Sequence, residues 1–488
     1  MPDFPDLDSA VLGSQPRDGG ARPPDSRGPE GRGPDSRDDG REVDVRDGLV
    51  DDVAALVADG QKGMVLNLIA DLRAADLADL LTHLPEEAAQ AVVRWMPGEE
   101  TSEAVAELDS ADRADLLEGL TTSELVALLD HLDTDDAADV LADVDDARTE
   151  AVLTQLEDAD DVEALLRYGE DTAGGLMGTE LVSVPDTATI AEATEAVRAC
   201  ADTVDPIYVV YVTGADGRLV GAVPLKRILL SQADTTVASV MDDDLVTVGV
   251  DVDQEAVARL MERYDLIALP VLSASGRLLG RITIDDVVDV IREEAEEDLQ
   301  RAVGIRGDEE LSSSVFAVSR GRLPWLAVGM AGAFVSGLVI QGFEGALERA
   351  IVLATFIPLV TATGGNAAIQ SAAIAVQGLT SGDLWLADGV KRLGKEMLVA
   401  LLNGVVLAVG IGAVVVVMGV GEPVRLAMTV GLTLLVVVLI ATTNGALVPF
   451  LLTRAGVDPA SAMGPFVTTL NDIIGLTVYF VIASLVYL

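Results

Sequence analysis

One aspartate, Asp472, stands inside the last apolar stretch of the chain, GPFVTTLNDIIGLTVYF, with nine uncharged residues before it from Met463 and sixteen after it to Leu488. In hydrocarbon an ionised carboxylate costs several kcal/mol unless water, a partner or an ion meets it. Thr468, Asp472, Gly475 and Tyr479 recur at helical spacing and share one face. A second polar group lies in IPLVTATGGNAAIQSA, where Pro358, Gly364, Gly365 and Asn366 predict broken backbone at membrane depth, and Asn366 and Gln370 fall on one helical face. Such backbone is tolerated only where it faces protein or a water-filled path. A kink that merely packs helices and a protonated structural Asp472 are the alternatives. Carboxylate, amide and backbone carbonyls together suit a hard cation that sheds its water reluctantly, as Mg²⁺ does. No Cys or His lies in the apolar stretches, which disfavours copper and zinc. The residues alone reach a hydrated hard cation and stop there.

The elements that must position these groups are five stretches long enough to span a bilayer, at 323–341, 350–376, 397–420, 426–452 and 463–488. No Lys or Arg lies within any of them. Loops on one side carry Arg320, Arg322, Lys391, Arg392, Lys395 and Arg454, and those on the other only Arg349 and Arg425. The positive-inside bias predicts a multi-pass cell-membrane protein with a cytoplasmic N-terminus and an extracellular C-terminus. Residues 1–47 lack the apolar core of a signal peptide, in agreement.

Ahead of the spans the chain is acidic. Asp and Glu number 80 against 32 Lys and Arg, only four of the latter being lysine (Lys62, Lys226, Lys391, Lys395), for a net charge of −48. Acid spread over every segment reads mainly as adaptation to a salty cytosol, and it excludes nucleic acid as a partner. Residues 1–45, rich in Pro, Gly, Asp and Arg, have little to bury and are expected to be a disordered tail. Over 46–167 short units such as LADLLTHLP and SELVALLDHLD repeat apolar residues at i, i+3, i+4 behind capping Asp, Ser or Thr. No unit buries its stripe alone, so stacking into an α-solenoid is expected. Over 168–290 a βαβ pattern occurs twice, each copy with a Met entry, a Gly-Arg-Leu hairpin and an apolar strand from Gly221 or Gly280. One cysteine (Cys200) and two histidines (His83, His131) allow no disulfide, zinc-protease motif or imidazole cluster. No GxxxxGK[ST] and no nucleophile–base pair occur, so an enzyme is not expected.

The duplicated segment resembles a tandem pair of CBS domains. The resemblance implies two α/β units that often hold an adenine nucleotide, and it points to Tyr208 and the Thr283–Asp286 step as contacts for ATP acting as a ligand. The first copy has Pro224 and Arg227 instead of that step, and a plain helix cap at Thr283 is the other reading. The whole order of segments resembles the MgtE-type magnesium transporters, as do RLPWL at Arg322, FIPLVTATGGNAAIQ at Phe356 and DPASAMGPFVTTLND at Asp458. The expected fold is thus a multidomain α and α/β membrane protein: an N-terminal α-solenoid, a tandem CBS pair, a connecting plug helix within 291–320, and a five-helix domain over 321–488.

The resemblance implies a homodimer, its pore between subunits, with hydrated Mg²⁺ held at Asp472 and Asp458 at the cytoplasmic mouth. Gly364, Gly365, Asn366 and Thr468 would complete the pathway. It also implies Mg²⁺-sensing acids at Asp253, Glu255, Asp265, Asp286, Asp289, Glu297 and Asp298, whose opposed charges repel until the ion bridges them. Another divalent cation such as Co²⁺ or Mn²⁺, or a membrane-anchored nucleotide or ionic-strength sensor, are the competing readings.

Overall fold

The computed structural model describes residues 47–201, 203–204, 206–302, 305, 315–380, 389–455, 457, 459–462 and 464–488. The expected tail at 1–45 lies outside them, as does Asp458.

Ten short helices come first: α1 (Asp47–Ala58), α2 (Lys62–Ile69), α3 (Ala74–His83), α4 (Glu86–Trp95), α5 (Glu99–Ala106), α6 (Ser110–Glu118), α7 (Thr122–Leu129), α8 (Thr134–Ala142), α9 (Asp146–Leu153) and α10 (Ala159–Leu165). Helices this short are marginal alone. They persist because each packs on a helix two or three places along, α3 on α5, α4 on α6, α5 on α7 and α8, α8 on α10. The stripes so buried include Leu77, Leu80, Leu117, Leu125, Leu129 and Leu141. Arginines fasten the stack. Arg113 is buried and paired with Asp143 at 2.5 Å. Arg148 donates to the carbonyls of Leu117 and Leu120, and Arg94 to that of Gly119, so both meet the carbonyl end of α6.

The duplicated segment forms two matching three-stranded sheets. In the first, β1 (Ser183–Pro185) runs parallel to β2 (Val209–Thr213), which pairs antiparallel with β3 (Leu219–Pro224). Helices α11 (Ile190–Ala199) and α12 (Leu225–Leu230) complete it. The second repeats the order with β4 (Val248–Gly249), α13 (Gln254–Tyr264), β5 (Ala268–Leu272), β6 (Leu278–Thr283) and α14 (Ile284–Ala302). The central strands bulge at matching places, Val212/Thr213 and Val271/Leu272. The Gly-Arg-Leu elements join the copies: Leu219 N donates to Gly276 O at 3.2 Å and Leu278 N to Gly217 O at 3.3 Å. Both glycines have positive φ, +76° and +79°, which their hairpins require. Helix α14 has no Gly or Pro and runs unbroken from β6, so the closing helix of the second copy and the expected plug helix are one element.

Five long apolar helices follow: α15 (Val315–Gly342), then after a short α16 (Glu344–Arg349) come α17 (Ile357–Thr380), α18 (Gly389–Met418), α19 (Pro423–Arg454) and α20 (Pro465–Ile482). Each is long and apolar enough to cross a membrane. Helix α19 is the hub, packing against α17, α18 and α20, while α15 packs on α20. Small residues permit the approach, since lipid supplies no hydrophobic drive between helices. Gly431 faces the Ala408 carbonyl and Gly404 faces Leu435; at Gly445 any Cβ would collide with the Ala368 carbonyl of α17.

The sequence predicted a broken second span. Instead α17 is continuous through Pro358, Gly364 and Gly365. Pro358 sits at its second position, where a missing N–H costs nothing, and a Cβ on Gly364 would lie 2.9 Å from Val437 Cγ1 of α19. Gly364 is there for packing. The third span also starts earlier than expected, at Lys391, so that Arg392 and Glu396 belong to it. Gly445→Val should destabilise the bundle by about 1–3 kcal/mol, the usual cost of overpacking, read as a lower melting temperature of the purified protein. An unchanged melt would mean that α17 and α19 are not in contact there.

Candidate functional site

Two places concentrate chemistry. The first is α20. Asp472 is half-buried in its N-terminal half and, among the described residues, has neither a hydrogen-bond partner nor a counter-ion. Thr468, one turn earlier, is half-buried and engaged. The face does not stay polar. A Cβ on Gly475 would lie 3.6 Å from Val437 and 3.8 Å from Val360. Tyr479 is fully buried and donates its hydroxyl to Leu353 O at 2.7 Å. Apolar packing therefore closes this face beyond Asp472. On α17, Gly364 and Gly365 are buried, with their carbonyls in the helical ladder. Asn366 and Gln370 are exposed, and no hydrogen bond joins either to Asp472 among the described residues. A buried carboxylate unmarked by the sequence reading lies nearby in the chain: Glu396 pairs with Arg392 at 2.7 Å and accepts from Ser371 Oγ at 3.1 Å, tying α18 to α17.

The second place is the boundary between the helical stack and the second α/β copy. Ligand oxygens of Asp133, Asp135 and Glu180 all lie within 4.8 Å of one another. Their positions follow from local structure. Asp133 is the N-cap residue of α8 and Asp135 lies in its first turn. Glu180 reaches in to accept from Thr134 N at 3.0 Å and Thr134 Oγ1 at 3.1 Å. Gly178 carries no side chain where a Cβ would come within 3.0 Å of Glu180 and 3.1 Å of Asp135. Asp286 of α14 crowds the same spot: burial pushes the Asp135 carboxyl well up, with Asp286 the next cause. Asp133 is pushed up to about 6 by burial and then by Glu180, with Arg281 opposing. Asp136 is pushed up to about 7 by burial and then by Asp286, and Asp139 to about 6 by burial, with Arg113 opposing and Glu170 and Glu293 adding. Asp133, Asp136 and Asp139 are exposed, while Asp135 and Glu180 are half-buried, so the cluster is open to water on one side. Several hard oxygen donors with too few cations are a donor set that fits Mg²⁺.

The expected nucleotide and sensing residues divide. Thr283 donates to Asp286 Oδ2 through both its N–H (3.1 Å) and its hydroxyl (2.6 Å), so the pair caps α14 and a ribose would compete with that cap. Tyr208 is half-buried, its carbonyl accepting from Leu225 N. Asp289 faces Glu107 of the helical stack and helps burial raise that carboxyl. Asp253 caps α13 through Glu255 N. Glu255 pairs with Arg259 at 2.5 Å; burial raises its carboxyl against Arg259, with Glu294 and Asp298 adding. Arg259 also donates to Thr380 O at 3.3 Å, the last residue of α17. Glu297 pairs with Arg301 one turn on. Asp265 is exposed, in the left-handed conformation that ends α13. Helix α14 packs on the turn Pro459–Ala462 between α19 and α20. Sequence reasoning missed Asp133, Asp135, Glu180 and Glu396. An acidic first turn at 133–136 was the one available signal, and many helices here share it.

Residues 357–482 match the family model described as a divalent cation transporter, residues 72–171 that of the MgtE intracellular N domain, and residues 237–293 the CBS domain. The magnesium transporter MgtE of Thermus thermophilus is 40% identical over 328 residues, 67% of this chain and 72% of that one. Its Enterococcus faecalis namesake is 35% identical over 330 residues, with the same shares. This chain belongs to the MgtE family. Among solved structures, one described as the cytosolic domain of the Mg²⁺ channel MgtE in complex with ATP is 34% identical (TM-score 0.47), covering 49% of this chain and 99% of that one. The CBS match takes in the second copy, and the first copy repeats its strand order.

In this MgtE-family chain the raised carboxyls give the acid boundary a definite pH response. A carboxyl raised in the packed state favours packing while protonated, and that contribution is lost as pH climbs from the ordinary value near 3.8 through about 6 to 7. Without divalent cations, amide exchange across Thr134–Ala142 should therefore slow as pH falls from about 8 to about 5.5, after correction for intrinsic rates. Millimolar Mg²⁺ should flatten the difference. A pH-independent corrected rate would contradict the crowding.

Proposed function

We propose that the chain is a homodimeric magnesium channel or transporter of the cell membrane, closed by cytosolic Mg²⁺ acting on its acidic soluble part, and not an enzyme. The observation that carries this is Asp472, an acid within a membrane-spanning helix that no described residue pairs or bonds. Membership of the MgtE family, with relatives named magnesium transporters, supports Mg²⁺ as the ion. A single carboxylate suits Mg²⁺ because the ion keeps most of its waters and needs few direct protein ligands. Asp472 supplies the charge, Thr468 on the same face supplies polarity, and Asn366 and Gln370 offer amides to the water shell from the open side of α17. That open side also suits a partner subunit. The positive-inside bias supports the soluble part and N-terminus on the cytoplasmic side.

Regulation follows from the second site. Asp133, Asp135, Glu180 and Asp286 would hold an ion that offsets their repulsion and favours the docked arrangement of the helical stack on the second copy. Asp289 against Glu107, and Glu255 beside Asp298, extend the same logic along α14. Docking is felt at the spans through two contacts, α14 on Pro459–Ala462 and Arg259 on Thr380.

Uptake into liposomes reconstituted with the full chain tests the pathway. Asp472→Ala should lower Mg²⁺ influx by on the order of tenfold or more, with the melt unchanged. Wild-type influx in that variant would remove the proposal, and equal influx of Co²⁺ or Mn²⁺ in the wild type would broaden the ion to divalents at large. Patches with the cytoplasmic face exposed test the regulation: internal Mg²⁺ should reduce open probability, and Arg259→Gln should weaken that response without lowering the single-channel current. Gating that ignores millimolar Mg²⁺ would leave the soluble part without this role.

A further inference from the structure

Asn471 immediately precedes Asp472 and is 3% exposed. Its amide is committed on both sides. Nδ2 donates to Val467 O, one turn back on α20, at 2.9 Å, and Oδ1 accepts from Asn444 Nδ2 of α19 at 3.3 Å. The next residue of α19 is Gly445, where α17 comes closest through the Ala368 carbonyl. Two consecutive residues of the hub helix thus hold α20 by a hydrogen bond and α17 by close backbone contact, at the level of Asp472.

We propose that Asn444 and Asn471 form a positioning clamp that fixes the rotation of α20 and so the direction in which Asp472 faces. The clamp rests on the reading of Asp472 as the ion-holding residue. Neighbouring residues on a helix point about 100° apart, so fastening Asn471 to α19 fixes the bearing of Asp472. Apolar contacts resist such a rotation weakly, because one aliphatic neighbour replaces another and lipid is as apolar as both. Rotation that breaks the amide pair leaves the buried Asn471 carbonyl without its partner, which is costly. Neither asparagine needs to touch the ion.

The test uses the full chain in liposomes, with Mg²⁺ influx measured against external Mg²⁺ for Asn444→Leu, Asn471→Leu, the double variant, Asn444→Gln and Asp472→Ala. Orientation is read separately as the rate at which a water-soluble thiol reagent labels Asp472→Cys in a Cys200→Ser background, with and without Asn444→Leu. Each Leu change should lower maximal influx about tenfold, raise the half-saturating Mg²⁺ concentration and alter the labelling rate by a similar factor. The double variant should be no worse than either single one, because both remove the same interaction. Asn444→Gln, which keeps a donor, should recover most of the influx. Should a Leu variant aggregate, Asn444→Ala removes the donor alone and carries the same expectations. Wild-type influx and labelling in the Leu or Ala variants, beside an inactive Asp472→Ala, would overturn the clamp and leave the Asp472 reading intact. An active Asp472→Ala would overturn both.

Discussion

A carboxylate taken out of water needs positive charge beside it, and this chain has few cations to give. Where an acid serves only the architecture, an arginine meets it: Arg113 on Asp143 inside the helical stack, Arg392 on Glu396 at the start of the third span. Two places depart from that habit. Among the described residues Asp472 has no cationic neighbour, and Arg281 is the offset for Asp133 where Asp135, Asp136, Glu180 and Asp286 also gather. Unmatched acid carries a cost that, on the function proposed, a mobile cation from solution offsets in both settings. That shared deficit is the reason the proposal gives one ion species two parts, cargo at one site and signal at the other.

The path between the sites is built from ordinary contacts. The acid boundary lies where α8 meets the start of α14, and the far part of α14 rests on the turn that leads into α20. A second contact runs through α13, whose Arg259 is held by Glu255 on one side and meets the end of α17 on the other. Both spans that carry polar groups of the proposed pathway, α17 and α20, therefore have a direct connection to the second α/β copy. Within the membrane, α19 touches both, α20 through Asn444 and α17 at Gly445.

Much of this was legible in the chain. Hydropathy located five spans, and the duplicated punctuation located two sheets with the same strand order. The failures are equally physical. Glycine and proline in 358–365 read as a break because their conformational effects are local, whereas here Gly364 makes room for Val437, a residue far off in sequence, and Pro358 begins the helix. Asp133, Asp135 and Glu180 could not be chosen among eighty acids, because their meeting depends on how two domains pack. Thr283 and Asp286 fitted a ligand step and a helix cap alike, and three residues of spacing could not separate them. Glu396 lay one residue outside the third span as drawn from hydropathy, so its pairing with Arg392 and Ser371 went unseen.

Helix α14, nineteen residues without glycine or proline, has a mechanical corollary. At 1.5 Å per residue it is a strut about 28 Å long, and a swing of about 10° at its first turn carries its far end roughly 5 Å. On the regulation proposed, a strut of that kind would convert a small change in the spacing of a few oxygens into a displacement comparable to one helical turn. It would also pass such a movement on in full, since a stiff arm has no joint along its length at which part of it could be absorbed.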